Sequence, residues 1–331
     1  MSEIERARVG AVIIGRNEGE RLRRCLDSMT GRTGAMVYVD SGSTDGSVPL
    51  ARAEGAEVVE LDMRRPFTAA RARNEGFDRL GELAPAMEYV QFVDGDCEVV
   101  ADWIECATGV LDEQPGVAAV CGRRRERFPG NSIYNALCDI EWDTPVGEAE
   151  SCGGDVLMRA TAFREAGGYT PALIAGEEPE LCFRLRGKGW TILRIDAEMT
   201  LHDAAMTRLG QWWKRTLRAG HAYAENAWRH GAGPGQFKRR EVRSNLAWGL
   251  FFPAGLLACA LTAPWTAVLL AVYPLQAWRI ARRKVQEGLP AGPAWLYGAF
   301  CMAGKLPLAF GFLKFHKDRL VGNSSNLIEY K

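Results

Sequence analysis

A short apolar run that stops at two carboxylates, Val90-Gln91-Phe92-Val93-Asp94-Gly95-Asp96, constrains this chain more than any other stretch. It reads as a buried strand. Carboxylates are rarely buried without a partner, so the two acids belong at the strand's end, where a cation, a ligand or water reaches them. Two oxygen ligands one residue apart suit Mg²⁺ or Mn²⁺ held together with substrate phosphates. Ligands of open α/β sheets also gather at the carboxyl ends of strands. Asp-Gly is ordinary turn chemistry too, so the tripeptide alone leaves a solvated turn open.

The same pattern recurs along the chain. Val9–Ile14 is a strand followed by Gly15-Arg16-Asn17-Glu18, and then a helix with Leu22, Cys25, Leu26 and Met29 on one face. Met36–Val39 is a strand broken by the small polar loop Asp40–Ser47. Glu57–Leu61 is a third strand. A helix from about Phe67 to Leu83 carries Arg71, Arg73 and Asn74, and another helix carries Trp103, Ile104, Ala107, Val110 and Leu111. Strands alternating with helices predict an α/β fold with a parallel sheet covered on both faces. After the strand Val117–Cys121 the pattern loosens, and Gly122–Pro145 reads as irregular. Proline favours the first helical position, so Pro179 makes Glu178 the cap of a helix that continues through Leu181, Cys182 and Leu185. Thr191–Ile195 is a late strand. Gln211-Trp212-Trp213-Lys214-Arg215 opens a helix that carries Arg218.

Six segments, in this order, carry a resemblance. They are Gly-Arg-Asn-Glu (15–18), Val-Asp-Ser-Gly-Ser-Thr-Asp-Gly (39–46), Ala-Arg-Asn-Glu-Gly (72–76), Val-Asp-Gly-Asp (93–96), Gly-Gly-Asp (153–155), and Gly-Glu-Glu-Pro-Glu-Leu (176–181). Together they resemble the family 2 glycosyltransferases with the GT-A fold, over residues 9 to 230. The resemblance implies a Rossmann-like, mostly parallel sheet with helices on both faces. It also implies a nucleotide-diphosphate sugar donor, Mg²⁺ or Mn²⁺, and inversion at the anomeric carbon. Residue by residue, it implies that Asp40 contacts the donor's base or ribose, and that Asp94 and Asp96, flanking Gly95, bind metal and diphosphate. Arg73 and Asn74 would lie near the donor. Asn17 and Glu18 fall on the donor side of the first strand, with helix-start chemistry as the alternative. The catalytic base falls on Glu178 or Glu177, where the family's usual Glu-Asp is Glu-Glu. Gly154, Asp155, Arg215 and Arg218 are candidates for an acceptor or donor loop. His202 reads as structural, with a place beside the metal or diphosphate as the alternative.

The charge total matters less than its distribution. Lys plus Arg equals Asp plus Glu at 41 each, so nothing argues for a nucleic-acid partner. The nine cysteines are scattered without a Cys-x-x-Cys pair, and read as reduced thiols. The charged N-terminus leads straight toward a strand, so no export signal is expected.

Near residue 240 the composition turns apolar. Lys238, Arg239, Arg240 and Arg243 precede Leu246–Trp278; Arg279, Arg282, Arg283 and Lys284 follow it. Basic flanks stay cytoplasmic, so this run is expected to form a hairpin turning near Pro264. A further apolar helix, residues 294–313, contains Lys305 and Pro307 and is expected to be re-entrant or interfacial. The expected division is thus a catalytic domain, residues 1–235, and a membrane-associated helical region, residues 236–331. That places an inverting glycosyltransferase on the cytoplasmic face of the inner membrane, with a lipid-linked or glycan acceptor. A polyprenyl-phosphate sugar synthase and a non-catalytic nucleotide-sugar-binding subunit are the alternatives.

Overall fold

Four strands, β1 (Val9–Gly15), β2 (Ala35–Asp40), β3 (Glu57–Glu60) and β4 (Tyr89–Asp94), lie parallel in the order β3-β2-β1-β4. The computed structural model describes residues 2–233 and 235–322. Val9, Ala11, Val12 and Ile13 have no exposed surface, nor do Val90, Phe92 and Val93. Such unbroken apolar runs are what a sheet covered on both faces requires. The helix Glu20–Met29 buries Leu22, Cys25, Leu26 and Met29 against it. The helix Ala69–Leu83, capped by the Thr68 hydroxyl, contributes Ala70, Ala72, Phe77 and Leu80. Gln91, the one polar residue inside β4, is fully buried, and its Oε1 accepts from the Trp103 indole N–H at 2.8 Å. An unpaired amide there would cost about 1–3 kcal/mol.

Beyond β4 the sheet is mixed, whereas alternation alone predicted parallel strands. β8 (Val156–Arg159) runs antiparallel to β4 and to β6 (Val117–Glu126). β9 (Thr191–His202) is parallel to β6 and antiparallel to β5 (Cys97–Val99) and β7 (Gly147–Glu148). β8 is inserted between β4 and β6, antiparallel to both, by pairing between segments distant in sequence, which local alternation does not encode. Three further expectations are corrected. A short helix, Glu3–Ala7, capped by Ser2, precedes β1. The stretch read as irregular extends β6 to Glu126 and forms a helix, Ile133–Glu141. The helix expected to start at Pro179 starts at Glu177 on Gly176, whose φ of 74° suits glycine. Pro179 remains in the first turn, where its missing N–H costs no intrahelical bond.

The chain divides into two compact units, residues 1–127 with 141–204, and residues 128–140 with 205–331. The boundary expected at 235 therefore lies inside the second unit. In that unit the helix Leu209–His230 packs on the helix Lys305–Val321. Gly220 and Gly311 make the approach possible: a Cβ on Gly220 would collide with the Leu308 carbonyl, and one on Gly311 with that of Leu217. The helix Phe252–Thr262 ends at Ala263, and the Tyr273 hydroxyl donates to the Trp248 carbonyl at 2.6 Å. Two described helices, Arg239–Leu261 and Ala291–Val321, are long and apolar enough to cross a membrane. The second is longer than the short segment expected at residues 294–313. Lys305, within it, donates to Asn245 Oδ1 at 2.9 Å and Ser244 Oγ at 3.1 Å. Leu261, Trp265 and Val268 are 80%, 73% and 67% exposed, so this unit presents apolar surface that its own packing does not cover.

Candidate active site

The parallel strands all deliver their carboxyl ends to one rim of the sheet, and the acids foreseen there are held by a small number of cations. Asp94 ends β4. The next amide, Gly95 N–H, donates to the Ile14 carbonyl at 2.8 Å, which turns the chain off the sheet edge. Arg73 Nη2 donates to Asp94 Oδ1, and Arg73 Nη1 to Glu177 Oε1, both at 2.7 Å. One guanidinium thus ties the end of β4 to the start of the helix Glu177–Gly187. Arg73 is almost wholly buried. Burial alone would lower its pKa, but Asp94 and then Glu177 outweigh that and hold it charged.

Asp155, with no exposed surface, braces this arrangement. Its Oδ1 accepts the Asp94 backbone N–H at 3.1 Å, and its Oδ2 accepts the Thr200 hydroxyl at 2.8 Å. Arg124 places Nε 3.4 Å from Asp155 Oδ2 and Nη2 3.5 Å from Asp94 Oδ2, with its guanidinium over the Trp142 ring at 4.8 Å. Gly154 fits because it lacks a side chain: a Cβ there would stand 2.9 Å from Arg73 Nη2 and 3.1 Å from Asp94 Oδ2.

Asp96 meets His202. Their Oδ2 and Nε2 atoms are 3.3 Å apart, brought together by the pairing of β5 with the end of β9, in which Cys97 faces His202. Burial, and then the charge of Arg124, holds the imidazole below its usual pKa, which favours the neutral ring. The other ring nitrogen, Nδ1, lies 3.7 Å from buried Glu126. An oxygen and a neutral imidazole nitrogen at this separation form a donor pair that a divalent cation accepts.

Glu178 is held differently from its neighbour Glu177. Its Oε1 accepts the Cys152 N–H at 2.6 Å and the thiols of Cys152 and Cys182 at 3.2 and 3.1 Å. Burial pushes its pKa up, and the hydrogen bonds only partly oppose this.

The other foreseen residues serve the loops around this rim. Asp40 spends its carboxylate on its own loop, with Oδ2 accepting from Gly42 and Ser43 N–H at 2.9 and 2.8 Å and Oδ1 from the Tyr38 hydroxyl. Asn17, at a φ of 56°, accepts the Thr44 N–H at 2.7 Å and gives its own N–H to Ser43, so the loops after β1 and β2 are joined. Glu18 pairs with Arg21 at 2.8 Å. Asn74 clips the Tyr169 backbone through both ends of its amide. Arg215 and Arg218 lie on the helix Leu209–His230 of the second unit. Sequence reasoning passed over Arg124, Thr200, Cys152 and Cys182. The Arg123-Arg124-Arg125 run gave no simple signal, because register shifts interrupt β6 there and leave Arg123 buried while Arg125, two residues on, is on the surface in a pair with Glu198. The two cysteines, thirty positions apart, held none.

Residues 11–149 match the model of Glycosyl transferase family 2. Over 237 residues the chain is 26% identical to a pre-mycofactocin glycosyltransferase of Mycobacterium tuberculosis, covering 67% of this chain and 48% of that protein. It is also 26% identical over 228 residues to the succinoglycan biosynthesis protein ExoA of Rhizobium meliloti, covering 65% of this chain and 67% of that protein. The chain thus spans about half the length of the mycobacterial relative it matches. Among solved structures, it resembles the mannosyltransferase PcManGT of Pyrobaculum calidifontis in complex with GDP-Man and Mn²⁺. The TM-score is 0.63 at 20% identity, covering 92% of this chain and 87% of that one. This likeness establishes the GT-A fold.

Proposed function

We propose, for a chain that belongs to glycosyl transferase family 2, the transfer of a sugar from a nucleotide-diphosphate sugar to a hydroxyl of a lipid-linked or glycan acceptor, with inversion at the anomeric carbon. The observation that carries this reading is the Arg73 bridge from Asp94 to Glu177. It sets a leaving-group end, rich in cations, against a helix start that holds a carboxylate poised to take a proton.

The residues at the Asp96 end fit a divalent metal. Asp96 and His202 would hold Mg²⁺ or Mn²⁺, with Asp94 beside them as a diphosphate and metal neighbour. When bound, such an ion neutralises the charge that grows on a departing nucleoside diphosphate. That PcManGT was solved with GDP-Man and Mn²⁺ supports the choice of cofactor and donor class. Arg73 and Arg124 hold Asp94 and Asp155 in place, and Gly154 keeps the space beside them clear. Preorganised charge of this kind stabilises a developing anion without reorganising during reaction.

Glu178 is the base in this reading. All three of its hydrogen bonds fall on Oε1, so Oε2 is the atom that takes the acceptor's proton. Glu177, engaged by Arg73, positions rather than accepts. Asp40, Asn17 and Glu18 shape the donor-side loops, and Asn74 fixes the loop at Tyr169. The apolar helices of the second unit support attachment to a membrane, with transfer at its cytoplasmic face, where nucleotide sugars are supplied.

The test is a thermal-shift and transfer screen of the full-length chain in detergent, with nucleotide sugars and Mn²⁺ or Mg²⁺. A metal-dependent shift with one donor class, and release of its nucleoside diphosphate on adding acceptor lipid, is the expected result. Binding that ignores the metal and survives Asp96→Ala would overturn the assignment.

A further inference from the structure

Three ligand atoms converge at the start of the helix Glu177–Gly187. Cys152 Sγ and Cys182 Sγ are 3.5 Å apart, and each lies 3.1–3.2 Å from Glu178 Oε1. All three residues are buried. In a tetrahedral zinc site with its usual bond lengths, two sulfurs are about 3.8 Å apart, and a sulfur and an oxygen about 3.5 Å. The observed triangle needs only a few tenths of an ångström of expansion on each edge. A disulfide would need its sulfurs to close from 3.5 Å to about 2.05 Å.

The sequence explains why the triangle can form. Glu178 and Cys182 are four residues apart on one helix, so they share a face. Cys152 comes from a loop that continues through Gly153, at a φ of 83°, and Gly154, and so has freedom to adjust. Two comparable groups at the rim share Cys97, whose sulfur already accepts from Arg124: one with Asp94 and Asp155, which Arg73 and Thr200 also engage, and one with Asp96 and His202.

We propose that Cys152, Cys182 and Glu178 form a binding site for a thiophilic divalent cation of the Zn²⁺ type, separate from the hard-cation site at Asp96 and His202. Thiolate sulfur selects soft and borderline metals, whereas carboxylate oxygen favours harder ions such as Mn²⁺ and Mg²⁺. Binding breaks two S–H bonds and forms two metal–sulfur bonds. Glu178 binds as its anion, and two protons leave to solvent, so affinity rises with pH. A consequence rests on the reading of Glu178 as base: a coordinated Glu178 cannot take the acceptor's proton, so the cation inhibits transfer.

Cobalt(II) reports thiolate ligation directly, without reference to catalysis. Titrated into the reduced full-length chain, it is expected to give a near-ultraviolet sulfur-to-cobalt absorption band at one equivalent, removed by Zn²⁺. Cys152→Ser and Cys182→Ser should each lose the band, and Cys106→Ser and Asp96→Ala should keep it. Should either cysteine variant fail to fold in a thermal melt, Glu178→Gln serves instead: with both thiols intact, it should weaken cobalt binding at least tenfold. No band in the wild type, or one unchanged in these variants, would overturn the site. So would a reduced-buffer mass two hydrogens short, which would mean a disulfide. Zn²⁺ is expected to slow transfer at least tenfold, reversibly by chelator. A wild type that shows the band but transfers normally in Zn²⁺ would keep the site and remove Glu178 from the role of base.

Discussion

Two adjacent glutamates, Glu177 and Glu178, begin the same helix and differ in what surrounds them. Glu177 accepts from a buried guanidinium that also holds Asp94. Glu178 accepts from a backbone amide and two thiols. One oxygen of Glu177 is committed to a fixed cation. Glu178 is buried among neutral donors, and burial raises its pKa. The comparison teaches that position at a helix start does not by itself decide which acid accepts a proton. The partners of the two acids differ: Arg73 and Cys152 come from a helix and a loop distant in sequence, and Cys182 from the next turn of the same helix.

The largest expected effect comes from removing the proposed base. Glu178→Gln should lower the transfer rate by about 10²–10⁴-fold, while Glu177→Gln should retain most of the chemical step once donor is saturating. Steady-state assays at saturating donor separate the two, and equal losses would erase the distinction drawn between them. Next is the shared cation. Arg73→Met removes the guanidinium shared by Asp94 and Glu177 and should destabilise the first unit by about 3 kcal/mol, read from urea unfolding. A wild-type midpoint would show that the bridge matters little.

Thr200→Val should cost about 2 kcal/mol, because Asp155 is fully buried and would lose its hydroxyl donor. The smallest effect is a pH dependence. The pKa of Glu178 is raised in the folded state, mainly by burial. Its favourable contribution is therefore complete below the unfolded value of 4.5, and is lost as pH rises through the folded value. Wild type should lose stability relative to Glu178→Gln over that window. A difference between the two that stays flat with pH would mean that burial does not govern this group.

Much of the first unit was legible from one sequence. The β1, β2 and β4 runs are continuous and apolar, and the helix Glu20–Met29 carries its apolar residues at helical spacing, so local patterning was enough. Asp94, Asp96 and Asp155 were legible because acids that interrupt apolar runs or follow paired glycines stand out. The extension of β6 was not, because Arg123, Arg124 and Arg125 give no apolar alternation. Strand order was not legible either, since an antiparallel insertion such as β8 is chosen by long-range pairing. His202 was placed beside Asp96 by the β5–β9 register alone.

The sequence by itself determined the local pieces: where strands end, which helix faces are apolar, and which acids cannot be packing residues. These follow from short-range periodicity and from the cost of burying charge. Only the tertiary structure decided who meets whom. Arg73 joining Asp94 to Glu177, and Cys152 reaching Glu178, depend on contacts between segments 21 to 104 residues apart. No pattern within one segment encodes them, because their energy exists only once the sheet has brought the segments together.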